Sequence, residues 1–213
     1  MNSRVLGAGF LVIASLIGVW AWFSGPSNET TATTVSADEP DSTAESEALV
    51  EPAESVEEPE EAFVPPKLGQ AGELVNLDGW LQTDATSFAE VQGKVTIVQF
   101  WTFGCFNCKN TIPHLQEIYA DHHDNGLEIV GVHAPEFDFE KDPEAIAAAA
   151  VDHGVTWPIA LDTNKVNFRA WQPDRRFWPR TFVVDSDGEI RFDKIGEGSY
   201  DTLAATVAVL LET

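Results

Sequence analysis

Positive charge and sulfur are both scarce in this chain of 213 residues. Twelve Lys and Arg stand against 35 Asp and Glu, for a formal net charge of -23. So acidic a chain cannot neutralise a phosphate backbone, which excludes nucleic acid as a partner. It also excludes a polybasic attachment to anionic lipid. With only two cysteines, a structural zinc site would lack about half of its usual four ligands. His114, His122 and His123 do not supply a second ligand pair at finger spacing.

The missing cations also divide the chain. None occurs between Arg4 and Lys67. Within that gap, residues 5–23 form an uninterrupted run of 19 uncharged, mostly apolar residues. A helix of that length spans roughly 28 Å, close to the hydrocarbon thickness of a bilayer. Residues 1–4 carry the preceding positive charge, so the amino terminus is expected inside and the rest of the chain outside. Trp20 and Trp22 fall where an outer interfacial belt would be. A cleaved signal peptide is the alternative, but its apolar core runs only about 7–15 residues. Ala21-Trp22-Phe23 is also a poor cleavage site, and with no cysteine nearby lipidation is excluded. The expectation is an uncleaved signal-anchor. Residues 24–61 hold twelve Asp and Glu, no Lys or Arg, and Pro40, Pro52 and Pro59. That composition reads as a disordered, self-repelling tether of roughly 35 Å end to end or more. Residues 62–213 are of the size of one domain with a real core.

Within that domain, 94–101 (KVTIVQFW) is a breaker-free β-branched run suited to a buried central strand. Ile112, Leu115, Ile118 and Tyr119 then recur at helical spacing, predicting a helix from near Cys105 to Asp124, kinked at Pro113. Asn125-Gly126 ends it, and 127–132 (LEIVGV) is a second buried strand. Asp142-Pro143-Glu144 opens a further helix that runs to Gly154. A short strand at 158–161 and a short helix at 164–171 follow. Strands at 181–184 and 189–195 flank the hairpin turn Asp185-Ser186-Asp187-Gly188. Ser199 is expected to cap a last helix with Leu203, Val207, Leu210 and Leu211 inward. The order β-α-β-α-β-α-β-β-α describes an α/β fold, a mixed central sheet with helices on both faces.

Cys105-Phe106-Asn107-Cys108 opens the first long helix directly after the central strand. Unpaired N–H groups and the positive end of the helix dipole favour a thiolate on Cys105. Cys108, one turn further in, is near enough to close a disulfide. The chemistry expected is thiol–disulfide exchange, with Cys105 attacking and Cys108 resolving. A metal site, a structural disulfide and two inert buried thiols are the duller readings.

These residues resemble a known family. The stretch Phe100-Trp101-Thr102-Phe103-Gly104-Cys105-Phe106-Asn107-Cys108-Lys109 is similar to the active-site segment of thioredoxin-like proteins. The resemblance is to the extracytoplasmic thioredoxin domain of DipZ-type membrane proteins, in the TlpA-like group. Gly79-Trp80-Leu81, Gly131-Val132-His133-Ala134-Pro135-Glu136-Phe137 and Gly196-Glu197-Gly198 support it across roughly residues 74–211.

The resemblance implies a thioredoxin-like fold and a cis bond at Trp178-Pro179 facing the cysteine pair, where the backbone pairs with substrate. It also implies exchange with the disulfides of exported proteins, with cytochrome-c maturation as one setting. A membrane dithiol electron donor of the CcdA/DsbD type would recharge the pair. No dissociable cofactor and no metal is required, and a monomer is expected. One position departs from the family. Gln99 stands where many thioredoxins have a buried aspartate that accepts the proton of the second cysteine, and an amide cannot do so at neutral pH. A water or a carboxylate such as Glu136 is the candidate substitute, and a core amide is the plain reading of Gln99.

Trp101, Trp171 and Trp178 are candidates for an apolar rim that positions substrate, with core packing as the alternative. His133 is a candidate to approach the site from its strand end. Arg175, Arg176 and Arg180 read as surface charge. Two rival functions remain. Thr102, three residues before Cys105, resembles the peroxidatic motif of peroxiredoxins, which would imply a thiol peroxidase, although Val98 occupies that motif's proline position. A Cu(I)-binding chaperone would use Cys105, Cys108 and a histidine.

Overall fold

Breaker-free apolar strands take the centre of the sheet, and shorter, more polar ones take its edges. In a computed structural model the described residues are 62–213. The anchor expected at 5–23 and the tether expected at 24–61 lie outside them. Among the described residues no helix is long and apolar enough to cross a membrane.

The strands are β1 (Gly69–Gln70), β2 (Trp80–Leu81), β3 (Val95–Trp101), β4 (Leu127–His133), β5 (Ile159–Leu161), β6 (Arg180–Val184) and β7 (Glu189–Ile195). They form one sheet in the order β1-β7-β6-β3-β4-β5-β2. β3 runs parallel to β4 and antiparallel to β6, so the sheet is mixed. All seven residues of β3 are buried, as expected of a strand covered on both faces.

The alternation of β3 sorts the helices. Ile97 and Trp101 face a core shared with α2 (Phe106–His122), α3 (Pro143–Asp152) and α5 (Tyr200–Glu212). Val98 and Phe100 face the other core, with α1 (Phe88–Val91) and α4 (Val166–Trp171). Each such side chain contributes about 1.5–3 kcal/mol by leaving water. Phe100 also meets Phe168 and Phe182 edge to face, with centroids 6.1 Å apart in each pair.

Local signals act as read in several places. Asp142 accepts the Glu144 N–H at the start of α3, with Pro143 in the first turn. Asp185 accepts the N–H groups of Asp187 and Glu189, and Gly188 takes the positive φ of +77° that the hairpin turn requires. Two expectations need correction. Ser199 precedes α5 but adopts φ 58° and makes no side-chain cap. Arg180 is buried, not surface charge, because Asp193 (2.6 Å) and Asp174 (3.1 Å) pair with it. The segments β1, β2 and α1, of two to four residues, are too short for any periodicity to reveal.

Candidate active site: a dithiol at the head of a helix

β3 delivers the chain to the site and α2 carries it away. After Trp101 the backbone turns through Thr102, Phe103 and Gly104, and the Cys105 N–H bonds back to the Thr102 carbonyl at 3.2 Å. Cys105 is the N-cap of the 17-residue α2, in extended conformation, and its Sγ accepts the Cys108 N–H at 3.3 Å. A sulfur takes the place that a Ser or Asp oxygen usually holds at a helix start.

The two thiols differ sharply. Cys105 is partly exposed and Cys108 fully buried, and both are free. The Cys105 thiol is lowered to about 7, first because the Cys108 thiol donates to it, then because the N–H groups of Cys108 and Asn107 do. Partial burial and the Glu136 charge oppose this without cancelling it. Cys108 moves strongly the other way, because burial disfavours its anion and its proton is engaged by Cys105. The pair therefore has its acidic thiol at the mouth and its buried, protonated thiol beneath.

Strand register brings Trp178-Pro179 to the same end. Phe100 pairs with Arg180, so Pro179 reaches the level of Trp101, just before the cysteine turn. The Trp178-Pro179 bond is cis. Trp178 is half-buried, stacked 4.2 Å from Phe168, and donates Nε1–H to the Ala134 carbonyl at 2.9 Å.

Other sequence candidates are distributed less favourably. Trp101 is fully buried beneath the site, edge-on to His133, and forms no rim. Trp171 is likewise a core residue of the other face. Gln99 is a core amide whose Nε2–H donates to Thr111 Oγ1 at 2.7 Å, and that hydroxyl donates to the Cys108 carbonyl at 2.7 Å. It touches the helix turn of Cys108, with no bond to the sulfur among those found. Glu136 is exposed and acts on Cys105 only through its charge. Arg175 and Arg176 are exposed.

His133 is buried at the end of β4, with Nε2 3.3 Å from Thr102 Oγ1 and Nδ1 without a partner. Burial lowers it to about 4, so the ring is neutral at pH 7. Thr102, on which the peroxidase reading rested, is thus buried with its hydroxyl beside His133. The histidine needed by the copper reading is not gathered with both thiols. Among the described residues no three His, Cys, Asp or Glu side chains are arranged to hold a metal.

The residue missed by sequence reasoning is Glu140. Its side chain is 0% exposed, and it accepts the N–H groups of Gly104 (2.9 Å), Glu136 (2.6 Å) and Phe137 (2.9 Å). None of the ion pairs among the described residues includes it. In Phe137-Asp138-Phe139-Glu140-Lys141 nothing distinguishes it from solvated charge.

Comparison with known proteins gives the family and the fold. Residues 72–193 match the model of the AhpC/TSA family. Protein DipZ of Mycobacterium tuberculosis is 38% identical over 147 residues, which are 67% of this chain and 21% of DipZ. This chain thus spans about a fifth of the length of that relative. Thiol-disulfide oxidoreductase YkuV of Bacillus subtilis is 30% identical over 142 residues, covering 66% of this chain and 94% of YkuV. The fold matches that of a putative thiol:disulfide interchange protein DsbE from Chlorobium tepidum. There the TM-score is 0.58 at 17% identity, over 70% of this chain and 99% of that one. The thioredoxin-like fold expected from the resemblance is the fold observed.

Proposed function

The chain belongs to the AhpC/TSA family, and from that premise we propose that it is a membrane-anchored thiol:disulfide oxidoreductase acting outside the cytoplasmic membrane. The observation that carries this reading is the asymmetry of the two sulfurs. One thiol is acidic and reachable at the head of α2, and the other is buried and hydrogen-bonded to it. The name carried by YkuV supports the same activity.

In the proposed cycle the Cys105 thiolate attacks a substrate disulfide. The substrate S–S bond breaks, one substrate sulfur leaves as a thiolate that takes up a proton, and the other is held in a mixed disulfide. Cys108 then gives up its proton and attacks the Cys105 sulfur, closing the internal disulfide and releasing the second substrate thiol. Two electrons pass from dithiol to substrate. A membrane dithiol donor returns them by the same exchange in reverse. The substrates are exported proteins, met through the extended backbone beside Trp178-Pro179. Residues 5–23 hold the chain in the membrane with its amino terminus inside, and 24–61 give the domain its reach.

A Cys108→Ser variant tests the reading, because it stops the cycle at the mixed disulfide. Recovery of disulfide-linked envelope proteins supports it. If none is captured, and the wild-type chain consumes peroxide but does not reduce insulin, the oxidoreductase reading is wrong. Alkaline extraction tests the anchor, since a chain released from membranes by it is not spanning them.

A further inference from the structure

A carboxylate with no cation partner, shut away from water beside a thiol pair, is costly unless it serves the site. Glu140 is such a group. Its Oε2 binds the N–H groups of Glu136 and Phe137, which belong to its own loop. Its Oε1 reaches across 36 residues of sequence to the N–H of Gly104, the residue directly before Cys105. The fit there is tight. A Cβ on Gly104 would lie 2.2 Å from Oε1, so only glycine lets the backbone come this close.

The surroundings preserve the field of that charge. Glu140 is itself 0% exposed, and beside the turn the Phe103 ring lies with its centroid 5.7 Å from that of His133 and 5.9 Å from that of Phe139. The titratable groups facing it are few. Cys105 and Cys108 come from the head of α2, and neutral His133 comes from β4. Its own loop brings exposed Glu136 and Asp138, with Lys141 held by Asp138 at 2.6 Å. The negative charge acts on both Cys108 and His133.

We propose that Glu140 is a positioning residue of the dithiol. It holds the Gly104 turn that presents Cys105, and its charge disfavours the ionised dithiol relative to the neutral disulfide, making the pair a stronger reductant. This rests on the reading of Cys105 and Cys108 as a redox pair. The sign follows from charge alone. Above about pH 7 the reduced pair carries a thiolate on Cys105, one residue from the Gly104 N–H that Glu140 binds; a carboxylate so placed penalises that charge, while the disulfide carries no charge to penalise. Well below pH 7 both redox forms are neutral at the sulfurs and the penalty vanishes.

The experiment equilibrates the full-length chain in detergent with glutathione, for wild type and Glu140→Gln, at pH 8 and pH 5. The variant is expected to shift about tenfold toward the dithiol at pH 8, equivalent to about 30 mV, with no shift at pH 5. Equal potentials at pH 8, or the same shift at both pH values, would overturn the role of the charge. If Glu140→Gln does not fold, Gly104→Ala decides instead. Its methyl group must displace the carboxylate from the turn, and because the charge is moved and not removed, a smaller shift of the same sign is expected at pH 8 and none at pH 5. No such shift refutes the proposal. A wild-type pair that forms no disulfide with glutathione at any ratio sinks the redox reading itself, which is a different outcome.

Discussion

Two loops on the same sheet each bury a carboxylate completely, and they use it differently. After β5, Asp162 accepts the N–H groups of Val166 (2.8 Å), Asn167 (3.2 Å) and Phe168 (2.7 Å). Every partner lies within six residues, and the result is the start of α4. After β4, Glu140 takes two local N–H groups and one from the turn before Cys105. Both obey the rule that a buried charge must be hydrogen-bonded. Only the second ties its loop to the dithiol, and beside it His133 Nδ1 and Trp101 Nε1 stay buried without partners. The buried carboxylate after β5 is satisfied within its own loop, whereas the one after β4 reaches out to the turn that precedes the dithiol.

The largest effect should come from breaking the satisfied loop. Asp162→Ala orphans two buried N–H groups and one part-buried one and is expected to destabilise by about 3 kcal/mol, lowering Tm by roughly 10 °C. The pH dependence of Cys105 alkylation in the folded variant should not move. Denaturation and alkylation measured on the same preparation test both halves, and a displaced alkylation profile would erase the distinction between the loops.

The loop after β4 should instead show itself through pH. His133 is lowered from 6.5 to about 4 by burial, so the unfolded chain binds its proton first as pH falls. Its contribution to stability is fully present above about 6.5, declines below that, and is exhausted near pH 4. The full swing is on the order of 3 kcal/mol. His133→Phe keeps an aromatic ring between Trp101 and Phe103 and removes the titration. Urea unfolding at pH 7.5 and pH 4.5 should therefore show a larger loss in wild type than in the variant. An equal loss in both would mean that burial of His133 does not matter to acid stability.

The contrast between the loops also marks what sequence reveals. The buried run of β3, the helical spacing of Ile112, Leu115 and Ile118, the capped start at Asp142 and the Asp185–Gly188 turn are local patterns. Each appears in the structure as read. The thiol pair is legible for the same reason, since strand, turn and helix start are contiguous. Glu140 and Arg180 are not legible. The bond to Gly104 spans 36 residues, and Arg180 is buried by Asp193 on the neighbouring strand, so neither burial can be inferred from flanking residues. Glu136, a neighbouring carboxylate on the same loop and a candidate proton acceptor by sequence, is exposed. For Trp101 the sequence leaves rim and core both open, because its position cannot tell which side of β3 is covered by α2.

Within the dithiol, Cys105 owes its acidity first to the Cys108 thiol. Cys108→Ala removes that donor and should return Cys105 toward the ordinary value near 8.5. In wild type the alkylation rate should be half-maximal near pH 7 and fall about tenfold per unit below it. At pH 6 the variant should react on the order of tenfold more slowly. An unchanged rate would assign the acidity to the helix start alone.

The smallest effect belongs to Glu136, which lies on the same loop as Glu140 but in water. Its charge raises Cys105 against the hydrogen bonds that lower it, so Glu136→Gln should make Cys105 slightly more acidic. Because solvent screens an exposed charge, the gain in alkylation rate at pH 6 should stay below about twofold and disappear in 0.5 M salt. The Glu140→Gln shift, arising from a buried group, should survive that salt. If both effects vanish together, burial does not separate the two carboxylates, and if Glu136→Gln abolishes turnover, the exposed residue is the proton acceptor after all.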